Sequence, residues 1–160
     1  MSDELISLSD FLDWARDRAS TCGRHSLALI DRSTRDDEEK VVIICNEFIA
    51  CCYIRERYLS VMDMALDLQR YNDEMIRRSR LLYMLHQCVD AYKKGMVASL
   101  KRAAEHAHCG ISTDAIVESQ NAICYKYGLV EYRRIYEQVL AMPTVSTIKD
   151  IGVKGGDGHE

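Results

Sequence analysis

The sequence has little of the two residues that most often interrupt a helix. Only one of its 160 residues is proline, Pro143, and eight are glycine. Between Arg35 and Cys109 the chain runs 75 residues with no proline and a single glycine, Gly95. Apolar residues recur three and four positions apart through this stretch, which is the spacing of one helix face. The scarcity leaves little room for a sheet, and the pattern predicts an all-α helical bundle.

Long apolar runs and targeting segments are also missing. No stretch approaches the roughly 18 apolar residues that a membrane-spanning helix needs, so we expect no membrane partner. Residues 1–9 lack the basic region and apolar core of a secretory signal. Seven cysteines without such a signal indicate reduced thiols, and we expect a cytoplasmic or nuclear location.

Sequence motifs of the common catalytic sites are absent. The chain has no glycine-rich phosphate loop, no nucleophile elbow and no metalloprotease helix motif. We therefore predict that the protein is not an enzyme and has no cofactor. Zinc is the one metal that the sequence suggests as a candidate ligand.

Capping signals and glycines divide the chain into five or six predicted helices, one or two of them long and central. Ser7, with Asp10 three residues on, begins the first helix as a capping box. Gly23 suits the end of that helix, and residues 24–34 then form a connector. Gly128 separates the last two helices in the same way.

The long central pattern has two interpretations. An unbroken helix over residues 36–94 would be about 88 Å long, which exceeds a compact domain of this size. We favour a break, with Asn72 ending one helix and Asp73 beginning the next. Gly95 then marks either a second break or a close contact between helices.

The domain prediction follows from the position of the proline. Pro143 ends the last helix, so residues 1–143 form a single helical-bundle domain. Residues 144–160 are rich in glycine and are predicted to be a flexible C-terminal tail. We identify no internal repeat.

Charge is unevenly distributed along the chain. The formal net charge is −4, from 21 basic and 25 acidic residues, which argues against nucleic-acid binding through overall charge. Residues 70–102 nevertheless carry eight bases and three acids. Together with neighbouring tyrosines, these basic side chains would bind phosphates and stack on unpaired nucleobases. The alternative is that they form an ordinary solvated helix face. The bases are Arg70, Arg77, Arg78, Arg80, Lys93, Lys94, Lys101 and Arg102.

Two half-motifs have the spacing of metal ligands. Cys22-x-x-His25 and His106-x-x-Cys109 each stand beside a glycine that frees the backbone to turn. Two cysteines and two histidines make a closed, structural zinc site, for which His108 is a substitute ligand. The competing interpretation is that seven cysteines and five histidines produce such spacings by chance.

A stripe of flexible apolar residues suggests a protein-binding surface. Met62, Met64, Met75 and Leu82 would form an adaptable groove for a partner helix, although such a stripe is more often core. The central helices carry more apolar surface than the few remaining helices can cover. We therefore expect self-association.

These observations predict a non-enzymatic intracellular interaction or regulatory protein. It would act by self-association and by binding a protein partner through helical faces. One alternative is an RNA- or DNA-binding helical oligomer that uses residues 70–102. The other is a zinc-stabilised helical bundle.

Overall fold

The structure, a computed structural model, describes residues 4–33, 38–68 and 75–146. This part of the chain forms four long helices and three short strands. The all-α class is confirmed, but the prediction of five or six helices is wrong for the described residues, which form four. In chain order the elements are β1 (Glu4–Ser7), α1 (Leu8–Ser33), α2 (Glu38–Leu68), β2 (Met75–Arg77), α3 (Arg78–His108), α4 (Ser112–Ala141) and β3 (Val145–Ser146).

Two glycines that were expected to end helices lie inside them. α1 continues past Gly23 because Ser26 and Leu29, both buried, extend its inward stripe. The hydroxyl of Ser26 donates to the carbonyl of Cys22 at 2.9 Å, so this polar residue is compatible with the helix. α4 continues through Gly128, which is a contact point for α3. The helix count is therefore lower than predicted.

The start of α1 and the central break agree with the sequence. The hydroxyl of Ser7 accepts a hydrogen bond from the backbone N–H of Asp10 at 3.2 Å, as a capping residue does. α2 and α3 are separate helices, which confirms the break. Asn72 and Asp73, to which the break was assigned, lie outside the described residues.

The helices form two antiparallel hairpins joined by a small sheet, an element that the sequence did not predict. α1 packs along α2, and α3 packs along α4. β1 lies between β2 and β3 and is antiparallel to both. Ile6 of β1 stands opposite Ile76 of β2, and both are buried. β3 comes from the segment predicted as a tail; residues 147–160 of that segment lie outside the described residues.

The hairpins share one hydrophobic core next to the sheet. It is built from the first half of α1, the C-terminal part of α2, the start of α3 and the C-terminal part of α4. Farther from the sheet, the buried positions of α3 and α4 include several small residues, Ser99, Ala103 and Ala122. The main core members are Ile6, Leu8, Phe11, Ala15, Ala19, Tyr58, Val61, Ala65, Ile76, Leu81, Leu85, Tyr132, Ile135, Val139 and Met142.

Two tyrosine–glycine contacts fix α3 against α4. The pattern Tyr-Lys-x-Gly, followed by Met or Leu and then Val, occurs at 92–97 and again at 125–130, a short repeated motif that we did not identify from the sequence alone. A Cβ at Gly95 would lie 2.5 Å from Cε1 of Tyr125, and a Cβ at Gly128 would meet the ring of Tyr92 in the same way. The two rings pack edge to face with centroids 5.5 Å apart. Each glycine therefore makes room for the tyrosine of the other helix.

A buried polar cluster joins the two hairpins. Glu131 on α4 is 4% exposed and accepts a hydrogen bond at 2.9 Å from the hydroxyl of Tyr58 on α2. Arg134 pairs with the other carboxylate oxygen at 2.7 Å. Trp14 of α1 packs edge to face on the ring of Tyr58. Burial raises the pKa of Tyr58 above its usual value, and the nearby Glu131 carboxylate raises it further.

Glycine-to-alanine substitutions distinguish the contact glycines from the others. We expect Gly128→Ala to lower the free energy of unfolding by about 1–3 kcal/mol, because the new methyl group displaces the Tyr92 ring. The matched control is Gly23→Ala, where the nearest side-chain atom is 3.9 Å from the new Cβ. That change should raise the free energy of unfolding by roughly 0.5–1 kcal/mol. Urea unfolding measures both, and a stabilising Gly128→Ala would contradict the packing described here.

Alkaline pH tests the Tyr58–Glu131 contact. Because the folded-state pKa of Tyr58 is raised, its contribution to stability is present below its unfolded pKa of about 10 and is lost as pH rises above that value. Urea unfolding at a series of pH values should therefore show a shallower alkaline loss of stability in Tyr58→Phe than in the wild type. At neutral pH the variant should be less stable by about 1–3 kcal/mol, since Glu131 loses a donor.

The exposed Tyr83 provides the control for this measurement. Its hydroxyl lies at the surface, accepting a hydrogen bond from Gln87. Tyr83→Phe leaves the Tyr58–Glu131 contact in place and should therefore keep the alkaline loss of stability that this contact produces. Parallel curves for Tyr58→Phe and the wild type above pH 10 would show that Tyr58 does not hold its proton through burial.

Candidate protein-interaction surfaces

An exposed apolar stripe runs along α4. Ile116, Ile123, Tyr127 and Val130 follow one another at intervals of seven, four and three residues, so they share one helix face. Each is between 44% and 59% exposed. The stripe lies away from the residues of α4 that enter the core.

A second stripe on α3 runs beside the first. Val97 and Leu100 are each more than half exposed, and Ala104 and Ala107 continue the same helical spacing toward the turn. Small residues of both helices form the floor of a shallow groove of about 450 Å³ between the stripes. None of its lining residues is charged: they are Ala103, Ala104, Ala107, Ala115, Ile116, Ser119, Gln120 and Ile123. We call the surface formed by Val97, Leu100, Ala104, Ala107, Ile116 and Ile123 the α3–α4 face.

A second surface, the α1–α2 groove, lies between the other two helices. It encloses about 620 Å³ and is lined over four turns of each helix. Leu27, at 69% exposed, and Ile30 stand at its wall, while small residues line its centre. Its lining residues are Arg16, Ala19, Ser20, Gly23, Arg24, Ser26, Leu27 and Ile30 from α1, with Phe48, Cys52, Arg55, Leu59 and Met62 from α2.

The four apolar residues predicted as a binding stripe do not form one surface. Met62 lines the α1–α2 groove and also packs against the core. Leu82 is half-buried against the core from α3. Met64 and Met75 are half-buried on α2 and β2. Sequence reasoning therefore found one residue of the groove and none of the α3–α4 face, although the spacing of the α4 stripe was visible in the sequence.

The predicted basic segment does not form a single free patch. It extends along all of α3, so Arg78 and Arg102 are about 36 Å apart. Arg78 pairs with Glu4 at 3.3 Å. Arg102 donates to both carboxylate oxygens of Glu118, at 2.8 and 3.0 Å. These hydrogen bonds lower the pKa of Glu118 to about 2.

The other bases of this segment differ in their surroundings. Lys101 lies 3.8 Å from Glu105. Arg80, Lys93 and Lys94 are exposed on α3, and Arg77 is exposed at the end of β2. Arg70 lies outside the described residues. Nucleic-acid binding through residues 70–102 stays a prediction, without the continuous basic face on which it was based.

The predicted zinc ligands lie on different helices. Cys22 and His25 are in the middle of α1, where Cys22 is close to Cys51 of α2. His106 lies in the last turn of α3 and Cys109 in the turn that follows. Within the described residues, no group of three or more potential ligands comes together, so these four do not form one site. Zinc binding stays a prediction.

The described cysteines are free thiols. Burial raises the pKa of Cys22, of Cys51 and of Cys88. These thiols therefore stay protonated at neutral pH, a state that favours packing over nucleophilic chemistry.

A smaller polar cavity of about 290 Å³ lies between the hairpins. Its one charged side chain, Arg102, is held by Glu118 and also donates to the hydroxyl of the buried Ser99 at 3.1 Å. The cavity lining contains neither a carboxylate pair nor a cysteine–histidine pair, so it presents no recognisable acid–base or nucleophilic set. The lining residues are Tyr53, Tyr92, Ser99, Arg102, Asn121, Cys124 and Tyr125.

Comparisons with known proteins add no functional information. None of the described helices has the length and apolar character needed to cross a membrane. No protein-family model, no curated protein and no solved structure matches this chain.

Proposed function

We propose that this protein is a non-enzymatic interaction protein that assembles with a second copy through the α3–α4 face and binds a protein partner through another helical surface. The observation that carries the proposal is the exposed apolar face on α3 and α4. The free thiols of the described residues suit a reducing compartment, such as the cytoplasm or nucleus.

The size of the α3–α4 face supports assembly. Its four large side chains, Val97, Leu100, Ile116 and Ile123, are each more than half exposed, and the alanines between them add further apolar area. Together they form one apolar patch that extends across both helices. Contiguous exposed apolar patches of this kind often mark protein-interaction sites.

The shape of the face favours a second copy as the occupant. Two antiparallel helices with a shallow groove between them pair with an identical hairpin as a four-helix bundle about a two-fold axis. The side chains of Ile116 and Ile123 form ridges, and Ala104 and Ala107 line the groove into which a partner's ridge would fit. Because the groove lining is uncharged, such pairing brings no like charges together there.

Sedimentation velocity of the full chain over a wide concentration range tests the assembly. We expect the wild type to form dimers, and we expect the double variant Ile116→Glu with Ile123→Glu to be monomeric. A two-fold interface would bury four carboxylates, which should raise the dimer dissociation constant at least about 100-fold. Circular dichroism of the variant checks that its helices are retained.

Leu140→Glu is the matched control. Leu140 lies on the same helix and is 44% exposed, but it is outside the α3–α4 face. It should leave the dimer unchanged. A wild-type chain that stays monomeric at high concentration, or a Leu140→Glu variant that dissociates as much as the double variant, would refute assembly through this face.

A further inference from the structure

The α1–α2 groove has the length of a short helix. It is lined from Arg16 to Ile30 on α1 and from Phe48 to Met62 on α2, about 21 Å along each helix. This corresponds to about four helical turns. The small residues Ala19, Gly23 and Cys52 lie along it and let a third helix approach closely.

The groove combines apolar walls with positive charge. Its lining contains three arginines and no acidic residue. Arg16 pairs with Asp13, and Arg24 donates to the hydroxyl of Thr21. Arg55 has no ion-pair or hydrogen-bond partner in the part of the chain that the structure describes, and its side chain lies beside Gly23. On a protein of net charge −4, this is a local basic surface.

We infer that the α1–α2 groove binds an amphipathic helix of a partner protein whose apolar face is flanked by aspartate or glutamate. Leu27, Ile30 and Met62 would contact the apolar face, and the arginines would select the acidic flanks. This inference rests on the proposed function, because it names the class of partner and the surface that binds it.

Charge argues against a second copy in this groove. The stripes of the α3–α4 face are bordered by Lys93, by Lys126 and by Lys101, of which Lys101 lies beside Glu105. Docking that face into the groove of another copy would bring these lysines toward Arg24 and Arg55. Like charges brought together at an interface oppose binding.

Two synthetic peptides of about four helical turns test the inference on the full chain. Both carry leucine at helical intervals of three and four; one has glutamate at the flanking positions and the other has lysine. By fluorescence anisotropy, we expect the glutamate peptide to bind at least about tenfold more tightly than the lysine peptide. Added salt should reduce this difference, because the arginines are solvent-accessible.

Substitutions in the groove locate the binding site. Gly23→Leu fills the space that the partner helix would occupy. Leu27→Ser removes an apolar contact, and because Leu27 is exposed the change should not disturb the fold. Each should weaken binding of the glutamate peptide about tenfold or more. Arg55→Glu should abolish the preference for glutamate over lysine. Arg80→Glu, an exposed charge reversal on α3, is the control and should change neither affinity nor preference.

Each remaining outcome decides against the inference. Equal affinity for the two peptides, or no binding at about 1 mM peptide, overturns the acidic-helix assignment. Unchanged binding by both Gly23→Leu and Leu27→Ser overturns the location. If the chain binds oleate but not the glutamate peptide, and Gly23→Leu abolishes oleate binding, the groove is assigned to an anionic lipid instead.

The double variant of the α3–α4 face separates this inference from the proposed assembly. If Ile116→Glu with Ile123→Glu is monomeric and binds the glutamate peptide normally, both proposals stand. If the peptide binds but the chain never dimerises, assembly fails and the groove assignment stands. If the chain dimerises but no variant of the groove affects peptide binding, the groove assignment fails alone.

Discussion

Glu131 brings a carboxylate into the interior between the two hairpins, and the arrangement of the bundle depends on how that charge is satisfied. A buried carboxylate is costly unless it is paired and hydrogen-bonded. Arg134 pairs with Glu131 from the same helix, so it is the Tyr58 hydroxyl that requires α2 to meet α4 at this point. Trp14 packs on the Tyr58 ring and extends the same constraint to α1. This contact, together with the shared hydrophobic core, determines how the two hairpins pack against each other.

The exposed surfaces arise from how side-chain size is distributed around the helices. In the part of the α3–α4 hairpin that lies farther from the sheet, small residues such as Ser99 and Ala122 point inward. Larger apolar residues such as Leu100 and Ile116 point outward. This distribution lets α3 and α4 approach closely, but it leaves apolar area that the four helices cannot cover. Burial of that area in the proposed interface would add to the stability of this part of the hairpin.

The sequence predicted what depends on local chemistry and failed where long-range contacts decide. Helical spacing gave the all-α class, and Ser7 marked the start of α1 because capping acts within one turn. Gly128 was wrongly predicted to end a helix, because the sequence alone does not distinguish a glycine at a helix end from one that makes room for an aromatic ring of another helix. The repeated Tyr-Lys-x-Gly pattern was the signal that could have identified it. The half-motifs at Cys22 and His106 give ligand spacing along the chain but no distance between helices. Short strands such as β3 are below the length at which alternation is detectable.

The sheet has a topological consequence for handling the molecule. Glu4 and Ser146, the first and last described residues, are paired partners in neighbouring strands, while the α3–α4 turn at Gly110 lies at the other end of its hairpin. A short linker could therefore join residues 4 and 146, and new termini opened at Gly110 would give a circular permutant with every helix intact. Such a permutant would carry fused domains at the α3–α4 turn, at the end of that hairpin away from the sheet.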